Sequence, residues 1–351
     1  MKSLNYKTLD DALQDLGAVN RGSYFTCICP HCGKKEAFFY LTDKDSFVVK
    51  CNRLSHCGQT TKVLFGGTKK EKESIIQKFK DSYDSKKEID ISSKGKERLM
   101  SFLNSSHKKD VPPVFRGISK ETLENYIIFY PKGVHTLFGK PEEKLFGKKY
   151  FRKLYRNRDI IIPIRNKDGI PERCFLRTTK KLTGKTLKEF QLRIVDKGNE
   201  IWNVADIYDP QKEFIFVCEG VWDALSVLDV LGGTLAKDKI GVVALAGVGK
   251  HSQITRILKE NPDIAKKKTF CICFDLDKAG MKEGFKFYCS LRKLHIGVRV
   301  FNYLNYNAPI TPLEEKIEGY PWPGTLDFND WYQKDPEGFT SFLRDLTWIY
   351  Q

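Results

Sequence analysis

Nowhere do the 351 residues contain a run of about 18 apolar residues, the length a membrane-spanning helix needs. The opening stretch, MKSLNYKTLDDALQDLG, is amphipathic and partly acidic, so it does not read as a secretory signal. No segment repeats. A phosphate loop is missing as well: in ALAGVGKHS, Ala244 stands where that loop needs glycine, and His251 follows Lys250 where Ser or Thr is required. Acidic residues are in deficit, with Asp+Glu 44 against Lys+Arg 60 and a formal net charge of +16. These absences lead us to expect a soluble, cytoplasmic protein with no membrane partner. The basic surplus favours a polyanionic partner, because each phosphate neutralised releases condensed counterions. A content of 41% hydrophobic and 13% aromatic residues is that of a folded chain, long enough for two or three domains.

What is present is unevenly placed. Five of the ten cysteines lie between residues 27 and 57, whereas Cys174, Cys218, Cys271, Cys273 and Cys289 are scattered through apolar segments and read as buried small hydrophobes. Clustering without a secretory signal points to a metal rather than to disulfides. Cys29 and Cys32 form a C-x-x-C corner followed by Gly33; Cys51 and Cys57 form a wider one followed by Gly58. Two such corners can bring four thiolates to the tetrahedron that structural zinc prefers. His56 could replace Cys57, and His31 or Cys27 could serve in the first corner. Between the corners, Phe38, Phe39, Tyr40 and Phe47 alternate with Lys34, Lys35 and Lys50, a mixture that suits single-stranded bases and phosphates, although half of those rings are expected in the ribbon's own core.

Residues 1–22 read as a helix with Leu9, Leu13 and Leu16 on one face, ended at Gly17, and 23–67 as a β-ribbon. Residues 68–110 are charged and serine-rich, a helix and then a mobile linker. A second unit, 111–207, opens with a Ser119-capped helix and continues with strands over 159–179 that turn at Lys167-Asp168-Gly169. From 208 to 351 strands alternate with helical patterns, which argues for a parallel α/β sheet, closed by a short C-terminal helix.

Two of those strands end in acids. FIFVCEG delivers Glu219, with Asp223 one helical turn on, and TFCICFDLD delivers Asp275 and Asp277; Asp327 and Asp330 follow in GTLDFNDWYQ. The C-terminal strand ends of a parallel sheet converge on one edge, where ligands bind. Carboxylates crowded there are tolerable when a hard cation such as Mg²⁺ neutralises them, and such a cation keeps open positions for phosphate oxygens. Each acid taken alone could equally be a helix N-cap.

Glu219-Gly220 with Asp223, followed by Asp275-Leu276-Asp277-Lys278-Ala279-Gly280, resembles the Toprim signature of DnaG-type primases and topoisomerases. A cysteine ribbon and then a basic region ahead of it narrow the resemblance to DnaG-type bacterial and phage DNA primases, over about residues 25–335. The resemblance implies an N-terminal zinc ribbon, a mixed α+β basic subdomain and a Toprim-type α/β domain. By similarity, Glu219 would be the general acid or base, and Asp275 and Asp277, with Asp327 or Asp330, would hold Mg²⁺ or Mn²⁺. Arg152, Arg158, Arg177 and Lys185 would hold template or nucleotide phosphates. Zinc would sit on Cys29, Cys32, Cys51 and Cys57. The family's ribbon usually has histidine where Cys32 stands and a tighter second pair, and Gly247 resembles a Toprim structural glycine. The implied activity is synthesis of short RNA primers from NTPs on a single-stranded DNA template. A phage or mobile-element setting and a separate replicative helicase are expected, since the sequence ends soon after Asp330. A Toprim nuclease and a catalytically inactive zinc-ribbon DNA-binding initiator are the alternatives.

Overall fold

The computed structural model describes residues 3–20, 25–42, 46–53, 57–84, 91–105, 110–138, 144, 155, 158–180, 189–195, 198–232, 235–245, 247–300, 308–309 and 326–348. The chain divides into two compact units, Met1–Asp90 and Ile91–Gln351. Among the described residues no helix is long and apolar enough to cross a membrane.

The first unit runs β1 (Ser3–Tyr6), α1 (Leu9–Asp15), β2 (Val19–Asn20), β3 (Phe25–Cys27), β4 (Ala37–Leu41), β5 (Phe47–Cys51), β6 (Thr60–Phe65) and α2 (Lys69–Asp84). Its sheet has the order β1-β6-β5-β4-β3-β2, antiparallel except where β1 lies parallel to β6. The helix expected over 1–22 is therefore confined to Leu9–Asp15. Thr8 starts it with a capping box shared with Asp11, and the four residues before it extend along β6 instead. Alternation along β4 and β5 turns Phe39, Phe47 and Val49 inward and leaves Phe38 and Tyr40 half-buried on the other face. The inward face closes on Phe79 of α2, whose ring sits 5.3 Å from Phe25, 5.3 Å from Phe39 and 5.0 Å from Phe47. A boundary at residue 67 is thus corrected: α2 is the lid of this core.

The second unit begins with α3 (Ser93–Asn104), so the charged stretch read as a helix and linker is split between two cores. Next come β7 (Val114–Phe115), β8 (Ile118–Ser119), α4 (Lys120–Tyr126), β9 (Ile128–Phe129), α5 (His135–Phe138), β10 (Ile160–Arg165), β11 (Pro171–Arg177) and β12 (Phe190–Arg193). Strands β9 to β12 form an antiparallel sheet, and the turn between β10 and β11 is closed by Asn166, whose Oδ1 accepts the N–H groups of Asp168 and Ile170. One face of this sheet (Ile161, Cys174, Leu176, Leu192) packs under Leu99 and Leu103 of α3.

The rest is β13 (Ile201–Trp202), α6 (Ala205–Tyr208), β14 (Phe214–Cys218), α7 (Val221–Leu231), β15 (Ile240–Leu245), α8 (His251–Glu260), α9 (Pro262–Ala265), β16 (Thr269–Cys273), α10 (Lys278–Lys293), β17 (Gly297–Val300), α11 (Phe328–Lys334) and α12 (Pro336–Trp348). The sheet order is β13-β15-β14-β16-β17; β14 to β17 are parallel, as read, and β13 is an antiparallel edge strand. Ile160, Ile162, Ile164 and Phe175 of the antiparallel sheet share one continuous core with Trp202, Trp222, Val242 and Cys271. A boundary at 207/208 is not present: β13 already belongs to the parallel sheet, and both sheets bury against each other.

Candidate active site and metal centre

Strands β14 and β16 are parallel neighbours with Cys218 opposite Cys273, so Glu219 and Asp275 leave the same sheet edge side by side. The backbone N–H of Asp275 faces the Glu219 carboxylate and favours its charged form, while Oε2 is buried without a partner. Leu276 donates its N–H to the Leu326 carbonyl at 2.9 Å, which draws the start of α11 to the same edge and places Asp327 there. Two glycines are needed at this close approach. A Cβ on Gly280 would overlap the Asp275 carbonyl, and one on Gly220 would lie 2.7 Å from Asp223 Oδ2. That is the physical content of the Glu-Gly and Ala-Gly pairs.

The carboxylates act on one another. Burial first, and then Asp277, push the Glu219 carboxyl up to about 7. Burial first, and then Asp327, push Asp223 up to about 8, although the Asn329 N–H donates to Asp223 Oδ1 at 2.9 Å. Asp275 is raised well above the usual range by burial, then by Asp223, Glu219, Asp327 and Asp277. Asp277 and Asp327 are also helix N-caps: the former accepts from Gly280 N at 2.7 Å, the latter from Asp330 N at 2.6 Å. The capping role and the cluster role coincide in the same two side chains. Asp330 is exposed, and its charge bears on Arg116. The unpartnered, buried Glu219 Oε2 and the neighbouring Asp223, Asp275, Asp277 and Asp327 are hard oxygen donors of the kind that suit a divalent cation, although among the described residues only the four cysteines bring three or more donor atoms within 4.8 Å of one another.

Cations flank the acids. Arg116 and Arg177 each lie over the Trp222 ring, at 5.4 and 5.7 Å from its centroid. Arg116 sits at the tip of the β7–β8 turn with φ 56, and its Nε donates to Asn329 Oδ1 at 2.7 Å. Asn329 returns Nδ2 to the Arg116 carbonyl and to Ser226 Oγ, tying this arginine to the helix that starts at Asp327. Arg177 Nε lies 2.9 Å from Glu189 Oε2, an ion pair without hydrogen-bond alignment. Arg158, expected at a phosphate, is corrected: it is only 3% exposed and donates to the Leu176 carbonyl, because it sits beneath the start of β10 rather than on its surface. Arg152, Lys185 and His56 lie outside the described residues. Arg116, Trp222 and Asn329 are candidate site residues that sequence reasoning passed over, whereas Asp223 was noted there as part of the motif but given no role. Only Asp223 carried a signal, its position four residues after Glu219. Lys250 of the ALAGVGKHS loop is 2.6 Å from Glu200, which also meets Arg173 at 2.7 Å, and Gly247 adopts φ 122.

The first unit holds the candidate metal centre. The Sγ atoms of Cys29, Cys32, Cys51 and Cys57 all lie within 4.8 Å of one another, with Cys29···Cys57 and Cys32···Cys51 both at 3.8 Å. A tetrahedron with zinc–sulfur bonds of about 2.3 Å has edges of about 3.8 Å, so the set has the size of a zinc site. Backbone N–H groups of Lys34, Arg53 and Gln59 donate to Cys32, Cys51 and Cys57, and Gly33 and Gly58 take φ 68 and 57 just after each corner. Cys27 is left out: it is buried, and burial raises its thiol to about 12. His31 is left out as well, its Nε2 pairing with Thr61 Oγ1 at 2.8 Å.

Residues 216–307, the segment carrying Glu219, Asp275 and Asp277, match the Toprim-like family. Among solved structures, the chain is similar to the zinc-binding and RNA polymerase domains of the Aquifex aeolicus primase, with 17% identity, 97% of this chain and 82% of that one covered, and a TM-score of 0.46. It is also similar to the primase fragment of the bacteriophage T7 primase-helicase protein (14% identity, 90% and 97% covered, TM-score 0.39) and to the RNA polymerase domain of Mycobacterium tuberculosis DnaG (16%, 73% and 82%, TM-score 0.45). No curated protein matches the sequence.

Proposed function

We propose that this protein is a DNA primase, a nucleotidyltransferase that joins NTPs into a short RNA on a single-stranded DNA template. The observation that carries the reading is the meeting of Glu219, Asp223, Asp275, Asp277 and Asp327 at one sheet edge beside Arg116 and Arg177. Asp275, Asp277 and Asp327 would hold divalent cations, which when bound neutralise phosphate charge and orient the triphosphate. Glu219, through its unpartnered Oε2, takes the proton from the attacking 3′ hydroxyl. The 3′ oxygen forms a bond to the α-phosphorus, the bond from that phosphorus to the bridging oxygen breaks, and pyrophosphate leaves. Arg116 and Arg177, braced on Trp222, hold phosphate oxygens as charge shifts toward the leaving group. The four-cysteine centre would take zinc and stiffen a ribbon whose outer face, with half-buried Phe38 and Tyr40 and exposed Lys50, suits a single strand.

The test is templated incorporation of labelled NTPs on single-stranded circles, with and without Mg²⁺. Labelled oligoribonucleotides that vanish in Asp275→Asn, with an unchanged melting profile, are the expected result. Shortened DNA instead would make the protein a nuclease. Undiminished product from the variant would remove the site assignment.

A further inference from the structure

Helices α8 and α10 cover the face of the parallel sheet opposite α7. Phe287 of α10 packs on Phe270 and Phe274, and His251 at the start of α8 lies tilted against Phe287, with ring centroids 5.2 Å apart. Their outer surface takes no part in the site described above, and its composition is one-sided. Arg256, Lys259, Lys282, Lys286, Arg292 and Lys293 are exposed there, against exposed Glu260 and partly buried Glu283. Glu283 is already engaged, by Lys286 and by His251. In the middle stands Phe285, 66% exposed, with its ring nearly parallel to Tyr288 at 6.5 Å. The lysines form a solvated cationic face, and the exposed Phe285 ring standing among them adds a flat surface on which an unpaired base can stack.

We infer that this face binds single-stranded nucleic acid, continuing the path of the strand away from the acidic edge. Helix α10 is capped by Asp277 at that edge. At 1.5 Å per residue counted from Asp277, Lys282 and Phe285 lie roughly 8 and 12 Å along its axis, and Arg292 about 22 Å. A strand leaving the edge along the helix meets cation, ring and cation in turn. Rings flanked by cations bind the exposed faces of unpaired bases and the phosphates between them, which duplex DNA, with its bases stacked inside, does not offer. An acidic protein segment would also be met by the lysines, and the competition experiment below separates it from a strand whose bases stack on the ring.

The inference rests on the nucleic-acid reading above, and one experiment separates the two. Binding of a fluorescent 30-nucleotide single-stranded DNA to the full chain is followed by anisotropy across a salt series, without NTP or added Mg²⁺. Phe285→Ala should weaken binding at least about fivefold, the loss of one stacked base. Arg256→Glu with Lys282→Glu should flatten the dependence of log K on log salt by about 1.4, at roughly 0.7 per phosphate contact on a single strand. Both variants should keep the wild-type melting temperature and NTP incorporation on a template too short to reach past the acidic edge. Wild-type affinity and salt slope in both variants would overturn the inference while leaving the catalytic proposal intact. Competition by poly-glutamate as effective as unlabelled DNA would also overturn it, making the face a protein-docking surface. Loss of NTP incorporation from the wild type with this binding intact would instead defeat the catalytic reading alone.

Discussion

Asp223→Asn tests the electrostatic argument at its most exposed point. The side chain is fully buried, accepts from Asn329 N and shares a hydrogen bond with Asp327, and burial and Asp327 raise its carboxyl to about 8. Asparagine keeps both contacts, since its Oδ1 accepts from Asn329 and its amide donates to Asp327, so the substitution removes titration and little else. A carboxyl raised on folding binds more protons in the native than in the unfolded state, so its stabilisation is complete below the unfolded value near 4. It is lost as pH climbs toward about 8. At about 1.4 kcal/mol per unit, holding this carboxyl neutral at pH 7 costs up to roughly 4 kcal/mol, and about half of that if its neighbours share the proton. Without metal and in EDTA, the variant should therefore melt about 4 °C or more above the wild type at pH 8. The gap should close by pH 4. Added Mg²⁺ should raise the wild-type melting temperature more than that of the variant, since bound cations neutralise the same charges. Differential scanning fluorimetry over pH 4 to 9 reads all of this. A variant that is no more stable at pH 8, or a gap independent of pH, would refute the claim that these carboxylates destabilise one another.

Cys57→Ser should abolish stoichiometric zinc, measured by release to a chromogenic chelator, and should unfold the first unit while the second keeps its own transition in calorimetry. Phe79→Ala opens a cavity against Phe25, Phe39 and Phe47 and should cost about 3–5 kcal/mol in urea unfolding of the first unit; an effect below about 1 kcal/mol would mean that α2 is not its lid. Gly280→Ala forces its new Cβ onto the Asp275 carbonyl and should weaken Mg²⁺ binding by isothermal titration. Gly284→Ala, only 3.4 Å from the Phe274 ring, should bind Mg²⁺ as the wild type does and gain helix stability of about 0.5–1 kcal/mol.

Cysteine spacing, the period-two ribbon and the two acid-ended strands are short-range facts, and each was legible in the sequence. A C-x-x-C corner with a following glycine makes its turn locally. A parallel sheet brings its C-terminal strand ends together whatever lies between them, so Glu219 and Asp275 could be paired across 56 positions from pattern alone. The Toprim-like match over 216–307 and the four-cysteine cluster agree with that reading.

What folding in three dimensions decided is which surfaces meet. Nothing local in KKEKESIIQKFKDSYD shows that Phe79 fills an aromatic core built from three strands, or that the next helix serves another core altogether. Arg158 and Arg116 look alike as residues, yet one is buried beneath a strand and the other is held over Trp222 by a left-handed turn and an asparagine 213 positions away. Sequence determines what each segment can offer, because propensity and period act over a few residues. Burial and charge coupling depend on which segments pack together, and only the tertiary structure settles that.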